Sequence, residues 1–249
     1  GNVINIKNPR IYFGLETNKT IVTNSKNKNE FDYPKNENSD LDNATNSYDG
    51  EAGLKLNTLD RMILAFSNGD INLAFSNNIN ENSKILTNRN VIERAKKIMP
   101  YLTYDNSPYL VITNEGNLVW VIDAYTTSKY YPYSQKSNIN GQEINYIKNS
   151  VKVLVDAYNG KVEFYITDRT DPIAMAYNKA FPDVFMDIDK EIPSEISEHF
   201  TYSEFLYNIQ AEILKRYHNT EPDVLYRAND VWDIAKYGAG TNSSTQQTT

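Results

Sequence analysis

The sequence predicts an α+β fold in which an antiparallel β-sheet built from hairpins packs against several α-helices. Three observations support this prediction. The middle of the chain contains β-rich runs in closely spaced pairs. The segments before and after it carry apolar residues at helical spacing. Strands and helices do not alternate regularly along the chain, which argues against a doubly wound α/β fold.

The composition excludes several classes of protein. The chain has 249 residues, a formal net charge of −7 and no cysteine. The absence of cysteine excludes a disulfide framework, a thiolate metal site and a cysteine nucleophile. The acidic balance, without a block of Lys and Arg, argues against nucleic acid as a partner. At 12% aromatic residues, including 19 tyrosines, the chain is too aromatic for a disordered polymer.

The ends of the chain suggest how it is organised. No apolar run approaches the roughly 18–20 residues that a membrane-spanning helix needs. The last twelve residues are rich in Gly, Ser, Thr and Gln. We therefore expect a soluble piece of a longer protein, in which residues 1–237 form a single domain and residues 238–249 form a linker-like disordered tail.

The N-terminal part is predicted to contain a hairpin and then a long loop. The β-rich runs 10–15 and 20–23 are separated by four polar residues, which suits a hairpin. Residues 24–53 are dominated by Asn, Asp, Lys and Ser, and this stretch is longer than ordinary connections. We expect a partly mobile surface loop there, with a binding loop as the alternative.

Two helices are predicted before the middle of the chain. From Leu56 onward, the apolar positions take helical spacing, and Gly69 ends the first helix. The second helix begins at Val91 and is closed by Pro100. Both apolar stripes are expected to face the core.

Two hairpins form the predicted sheet. The first joins residues 109–113 to 118–123 through a loop that contains Gly116. The second joins residues 150–158 to 161–167 at Asn159-Gly160, a dipeptide that favours a type I′ turn. Apolar residues alternate along the second pair, so one of its faces is expected to be buried.

The C-terminal third is predicted to be helical. Asp171 supplies an N-cap, Pro172 a first helical position, and Phe181-Pro182 the end of one helix. The string TYSE at 201–204 matches a capping box, and apolar residues repeat behind it as far as Tyr217.

No local motif identifies a reaction. The chain lacks a nucleophile elbow, a phosphate-binding glycine loop and an HExxH pair. Its two histidines, His199 and His218, are expected to act as caps or surface residues. The acidic cluster between Asp183 and Glu191 could offer oxygen ligands to calcium, but it lacks the EF-hand spacing, so a solvated loop is the preferred interpretation. The sequence therefore predicts no metal site and no cofactor.

The least ordinary segment follows the end of a predicted strand, at residues 123–135. Its tyrosines, hydroxyls and amides could stack on a sugar or a peptide and hydrogen-bond to it. The alternative is that the tyrosines seal a long loop onto the sheet. The candidate binding residues are Asp123, Tyr125, Tyr130, Tyr131, Tyr133 and Gln135.

The chain contains seven further strings of interest, which are PRIYFG (9–14), EFDYP (30–34), DAYTTS (123–128), YPYSQ (131–135), NYIKNSVKV (145–153), VDAYNG (155–160) and YH with the following PDV (217–224). In their order and spacing, these strings resemble the large extracytoplasmic region of the uncharacterised protein family 0182. The likeness extends from about Pro9 to Trp232.

This resemblance implies a bacterial multi-pass parent protein in the cell membrane, with the present domain on the extracytoplasmic side. It implies contact with the membrane through spans outside this chain. It implies no reaction, no cofactor and no catalytic residue. The chain departs from the family pattern in two ways, because residues 24–53 are longer and more polar and because the chain stops before the family's later soluble portion.

The favoured hypothesis is therefore a non-catalytic extracytoplasmic domain with a binding or assembly surface for an envelope protein or a glycan. The alternative is an envelope hydrolase that acts on glycans or peptides through carboxylates. The alternative would require Asp123, Asp156, Asp168 or His218 to converge in one cleft with the tyrosines. A third possibility is a spacer whose tyrosine segment packs inward.

Overall fold

A computed structural model describes residues 6–26, 30–34, 43–55, 60, 63, 79–80, 82–139, 141–227, 232–234, 236–237 and 247–248. It contains antiparallel sheets and helices, so the predicted α+β class is confirmed. None of the helices in these ranges has the length and apolar character needed to span a membrane.

The strands are numbered along the chain. They are β1 (Ile21–Thr23), β2 (Glu30–Pro34), β3 (Asn43–Asn46), β4 (Leu54–Lys55), β5 (Lys84–Leu86), β6 (Thr103–Tyr104), β7 (Tyr109–Ile112), β8 (Leu118–Ser128), β9 (Ser137–Ile139), β10 (Gln142–Ile144), β11 (Tyr146–Asp156), β12 (Val162–Ile166), β13 (Lys236–Tyr237) and β14 (Gln247–Thr248). The helices are α1 (Val91–Ile98), α2 (Pro172–Ala180), α3 (Ser194–Ser197), α4 (Glu204–Tyr217) and α5 (Pro222–Arg227).

The main sheet is five-stranded, in the order β12-β11-β8-β6, with β7 also paired to β8. Both predicted hairpins, β7–β8 and β11–β12, are confirmed as antiparallel pairs. The hairpins join through β8 and β11, which are eleven residues each and align Asp123 with Lys152. The register shifts between Lys148 and Val151, so a bulge lies at that end of β11.

The sheet is covered on both faces. One face carries Ile122, Val151 and Val153, which pack into the larger core cluster together with residues of α1. The opposite face carries Val121 and Leu154, which belong to a second cluster with Ile196 of α3. Because side chains alternate along a strand, adjacent residues of β8 serve the two cores in turn.

Three predicted helices are observed. Asn90 caps α1 and accepts hydrogen bonds from the N–H groups of Ile92 and Glu93. Asp171 caps α2, as predicted, with Pro172 at its first position. The capping-box pattern placed the N-cap of α4 at Thr201, but the cap is Ser203, whose Oγ accepts from Leu206 N–H at 3.2 Å.

The predicted N-terminal hairpin is wrong. Strand β1 pairs with β5 instead of with residues 10–15. The N–H groups of Tyr12 and Phe13 both donate to Ala157 O, and Trp120 Nε1 donates to Phe13 O. The backbone of this first run is therefore used by the main sheet region and is not available to β1.

The segment 24–53, predicted to be a long surface loop, is only partly irregular. Strands β2 and β3 within it pair antiparallel, and Tyr48 is buried in the larger core cluster. Most of the helix predicted from Leu56 lies outside the described residues, and the side chain of Ile63 is exposed and does not face the core. Within the predicted tail, β14 pairs with β13.

The Asn159-Gly160 turn has a different geometry from the predicted type I′ turn. Of the two residues, Gly160 alone has positive φ, at 65°. The loop is closed by Gly160 N–H donating to Asp156 O at 2.8 Å, and the Asp156 carboxylate accepts from the N–H groups of Tyr158 and Asn159. The carboxylate therefore stabilises the turn.

Replacing Gly160 by alanine is expected to lower the free energy of unfolding by about 2–5 kcal/mol. The new Cβ would lie 2.6 Å from a ring carbon of Phe13, on a backbone with φ of +65°. Urea denaturation measures this loss. Gly141→Ala is the matched control, because φ there is +80° but no atom lies within 4 Å of the new Cβ. Equal losses in the two variants would contradict the packing explanation.

Candidate functional site

The tyrosine loop, residues 129–136, connects β8 to β9 and is held by one side chain. Asn145 Nδ2 donates to the carbonyl oxygens of Tyr131 and Ser134, at 2.7 and 3.1 Å. Tyr131 N–H donates to Asn145 Oδ1 at 3.0 Å, and Ser134 Oγ donates to Asn145 O at 2.9 Å. These four bonds fix the conformation of the loop before any partner binds.

The predicted binding residues do not form a single site. Tyr130 is 79% exposed, Tyr131 is 48% exposed and Tyr133 is fully exposed. In contrast, Asp123 and Tyr125 are buried in the sheet. They belong to β8, where the alternation of side chains directs them into the core. Binding of a ligand by the exposed tyrosines stays a prediction.

Tyr133 has an unusual backbone. Its φ is 59°, in the left-handed region that bulky residues rarely adopt. Strained conformations of this kind persist where surrounding contacts impose them. Here the neighbouring carbonyl of Ser134 is bound by Asn145. The loop therefore leaves the side chain of Tyr133 exposed to solvent.

A groove of about 350 Å³ lies between the tyrosine loop, the β9–β10 hairpin and α4. Its walls are mainly apolar and include Ile139, Tyr146, Ile209 and Ile213. The ring of Tyr131 stacks on Tyr146 with centroids 5.0 Å apart. The groove therefore offers an apolar floor beside the rigid loop.

The C-terminal half of α4 exposes apolar side chains beside this groove. Ile209 is buried, but Ile213, Leu214 and Tyr217, which continue the same helical spacing, are each about half exposed. Tyr217 OH donates to Gln135 Oε1, which connects the helix to the loop. We call the exposed surface beside the groove the aromatic face and define it by the residues Tyr131, Tyr133, Ile213, Leu214 and Tyr217.

Tyr146, which lines the groove, is hydrogen-bonded to the buried carboxylate of Asp171. Tyr146 OH donates to Asp171 Oδ1 at 2.9 Å, and the hydroxyl of Thr126 donates to Asp171 Oδ2. Burial acts to raise the pKa of Asp171, but hydrogen bonds from these hydroxyls and from Ile173 N–H outweigh it, so the pKa lies below its ordinary value. Burial and the nearby carboxylate raise the pKa of Tyr146. Asp171 is therefore ionised at neutral pH and serves both α2 and the groove.

Replacing Asn145 by alanine is expected to cost about 1–3 kcal/mol of stability, because its side chain makes three of the four bonds that shape the loop. The amide hydrogen of Tyr131 should then exchange faster with solvent, which hydrogen exchange measures. Asn145→Asp is the matched control, since it keeps the acceptor for Tyr131 N–H but loses both Nδ2 donors. Unchanged exchange in the alanine variant would contradict the assigned role.

A model of the Uncharacterised protein family (UPF0182) matches residues 1–249. The chain belongs to this family. It is 48% identical over 237 residues to a UPF0182 protein of Clostridium botulinum, covering 94% of the chain and 25% of that relative. It is 46% identical over 232 residues to a UPF0182 protein of Caldicellulosiruptor saccharolyticus, covering 93% of the chain and 24% of that relative. The chain thus spans about a quarter of the length of these relatives. No solved structure matches it.

A set of polar side chains in this UPF0182 chain forms hydrogen bonds and an ion pair within the sheet region, and none of these side chains lines the groove. Lys152 forms an ion pair with Asp123 Oδ1, and Asn149 Nδ2 donates to the same oxygen at 2.8 Å. Asp105 Oδ2 accepts from Tyr125 OH at 2.8 Å and also from Ser203 Oγ at 2.8 Å. Burial, followed by the Asp105 carboxylate, raises the pKa of the Tyr125 phenol. These contacts tie β8, β11 and the start of α4 together.

The carboxylates that the hydrolase alternative requires do not converge in this UPF0182 chain. Asp168 pairs with Lys148 at 2.8 Å, and hydrogen bonds from Lys148 and Thr170 lower its pKa to about 2. Asp156 follows Lys148 by eight residues on β11, which places it about 26 Å away at roughly 3.3 Å per residue. There it stabilises its own turn. His218 follows α4 and stacks on Trp232 with ring centroids 4.3 Å apart.

The acidic cluster considered for calcium has other contacts. Asp189 pairs with Arg169 at 3.1 Å, and Asp187 Oδ1 accepts from Asp189 N–H. Among the residues that the structure describes, no group of three or more His, Cys, Asp or Glu side chains could hold a metal ion.

The β9–β10 hairpin, which forms one wall of the groove, was not among the hairpins predicted from the sequence. Ile139 pairs with Gln142, which leaves the two positions 140 and 141 as the connection. Gly141 has φ of 80°. The dipeptide Asn140-Gly141 is the signal that could have revealed this hairpin. The strands on either side of this dipeptide are three residues long and mostly polar, so they lack the β-rich runs from which the other hairpins were predicted.

Proposed function

We propose that this chain is an extracytoplasmic domain of a multi-pass bacterial membrane protein, and that its aromatic face is a binding or assembly surface. The resemblance of seven sequence strings to the extracytoplasmic region of the family supports the location. The observation that carries the proposed surface is the exposure of large aromatic and aliphatic side chains around an apolar groove.

The chemistry of the aromatic face is that of a protein interface. Tyrosine is enriched at the centre of such interfaces, because its ring buries a large area and its hydroxyl can still hydrogen-bond. Clustered apolar exposure on a soluble surface marks interaction sites, whereas single exposed residues do not. The fixed loop reduces the entropy that ordering would otherwise cost on binding. Among the residues that the structure describes as lining the groove, none is one of the carboxylates named for the hydrolase alternative.

The location is tested by cysteine labelling of the full-length parent protein in intact bacteria. The chain has no cysteine, so a single one can be introduced here once any elsewhere in the parent are removed. Glu115 is exposed on the β7–β8 turn, and Glu115→Cys should react with a membrane-impermeant maleimide in intact cells. Val153→Cys is the buried control and should react only after denaturation. Reaction of Glu115→Cys only after cell lysis would refute the proposed location.

A further inference from the structure

We propose that the aromatic face is covered by another segment of the same polypeptide, one that lies outside these 249 residues and inserts apolar side chains into the groove. This inference rests on the proposed surface and names its partner. It does not depend on the side of the membrane where the domain lies.

The first argument is the unfinished packing of α4. The fourteen-residue helix buries Ile209, but one turn later its apolar stripe continues into solvent through Ile213, Leu214 and Tyr217. Amphipathic helices gain most of their stability from packing this stripe, and full burial of one large apolar side chain contributes about 1.5–3 kcal/mol. In the described part of the chain, no segment buries these three side chains fully.

The second argument is the length of the relatives. The matched region accounts for only 24–25% of each of the two relatives described above. A segment of the same polypeptide is held near the groove at a high effective concentration, so a modest apolar contact suffices to seat it. A separate protein would also have to offset the loss of translational and rotational freedom.

The third argument is the chemistry of the groove. Its volume of about 350 Å³ is at the lower end of the roughly 300–1,000 Å³ typical of ligand sites, and its apolar walls are formed by isoleucine and tyrosine side chains. Two nearby lysines are already paired, Lys136 with Glu143 at 3.2 Å and Lys215 with Asp233 at 2.7 Å. A neutral, apolar segment therefore fits better than a strongly charged partner.

The groove also offers polar groups at its edge. Ser134 and Gln135 line it beside the apolar walls, and the Gln135 side chain already accepts from Tyr217 OH. These side chains can hydrogen-bond to the N–H and C=O groups of an inserted segment, which need partners when they are buried. The expected occupant is thus a short stretch of chain with aliphatic or aromatic side chains and an ordinary polar backbone.

Photo-crosslinking in the full-length parent protein tests this inference. A benzophenone amino acid replaces Tyr133 in one variant and Leu214 in a second, so that a folding defect in one does not decide the result. The control places the same group at Glu115, which lies beyond the other end of β8, about 34 Å away along an eleven-residue strand.

The expected product is a crosslink within one polypeptide. The monomer band keeps its mass, and peptide mass spectrometry joins position 133 or 214 to a peptide outside these 249 residues. Adducts with another protein, a second copy or a lipid would overturn the inference but leave a binding surface in place. Crosslinking no stronger than at Glu115 from both positions would refute the surface itself, and the inference with it.

Discussion

Replacing Lys152 by methionine is expected to lower the free energy of unfolding by about 3–5 kcal/mol. Lys152 and Asp123 are both buried and form an ion pair across β11 and β8. Without the ammonium group, the Asp123 carboxylate stays in the sheet without its counter-charge, and the desolvation of that charge is no longer compensated. The lysine also lies over the ring of Phe200, with Nζ 4.8 Å from the ring centroid, so its loss weakens that contact too. Urea denaturation of the wild type and the variant measures the effect.

Two controls isolate the buried charge. The double variant Asp123→Leu/Lys152→Met should recover a large part of the lost stability, because apolar replacement of a buried ion pair is often neutral. Lys96→Met removes a solvent-exposed pair with Glu93 and should cost less than about 1 kcal/mol. A double variant whose loss equals or exceeds the sum of the two single losses would contradict this account.

Replacing Asp171 by alanine is expected to destabilise the chain by about 3 kcal/mol, because a helix cap is lost and because the hydroxyls of Thr126 and Tyr146 lose their carboxylate acceptor. Asp171 is fully buried and accepts from Thr126, Tyr146 and Ile173 N–H. Thermal or urea unfolding measures the loss. The matched control is Asp171→Ser, which can keep the cap but does not reach both hydroxyls and should lose less. A loss below about 1 kcal/mol in the alanine variant would show that the cap alone matters.

The same carboxylate gives a pH signature. Its pKa in the folded chain is below its ordinary value, so it stabilises the fold fully above about pH 4, the unfolded range for aspartate. This contribution is lost as the pH falls through the folded pKa. Asp171→Asn cannot ionise, so the stability difference between wild type and this variant should shrink on acidification. A difference independent of pH would contradict the assigned ionisation.

The locally encoded parts of the fold were predictable. The hairpins around Gly116 and Gly160 follow from β-rich runs that flank short loops, and the predicted cap Asp171 begins α2. The predictions that failed concern segments whose hydrogen-bond partners are distant in the sequence. The N-terminal runs look like a hairpin in isolation, but Tyr12 and Phe13 bond to Ala157, more than 140 residues away. Local spacing contains no information about such a competitor.

The candidate site was predicted in part for a similar reason. The exposed loop was found because tyrosines cluster there, but Asp123 and Tyr125 were grouped with it although they lie on the strand before it. Outside the candidate site, the buried contacts of Asp105, Lys152 and Ser203 were not predicted either, because these residues come from three separate segments that meet at Asp123 and Tyr125. No spacing rule within one segment could connect them.

The central claim is that the aromatic face is covered in the complete protein. Its most direct measurement is the rate at which a cell-permeant maleimide modifies Tyr133→Cys in the full-length protein, compared with Glu115→Cys. Both positions are exposed in the structure of this chain. We expect Tyr133→Cys to react far more slowly in the native protein, and the two to react at similar rates after denaturation. Equal rates in the native protein would contradict the account.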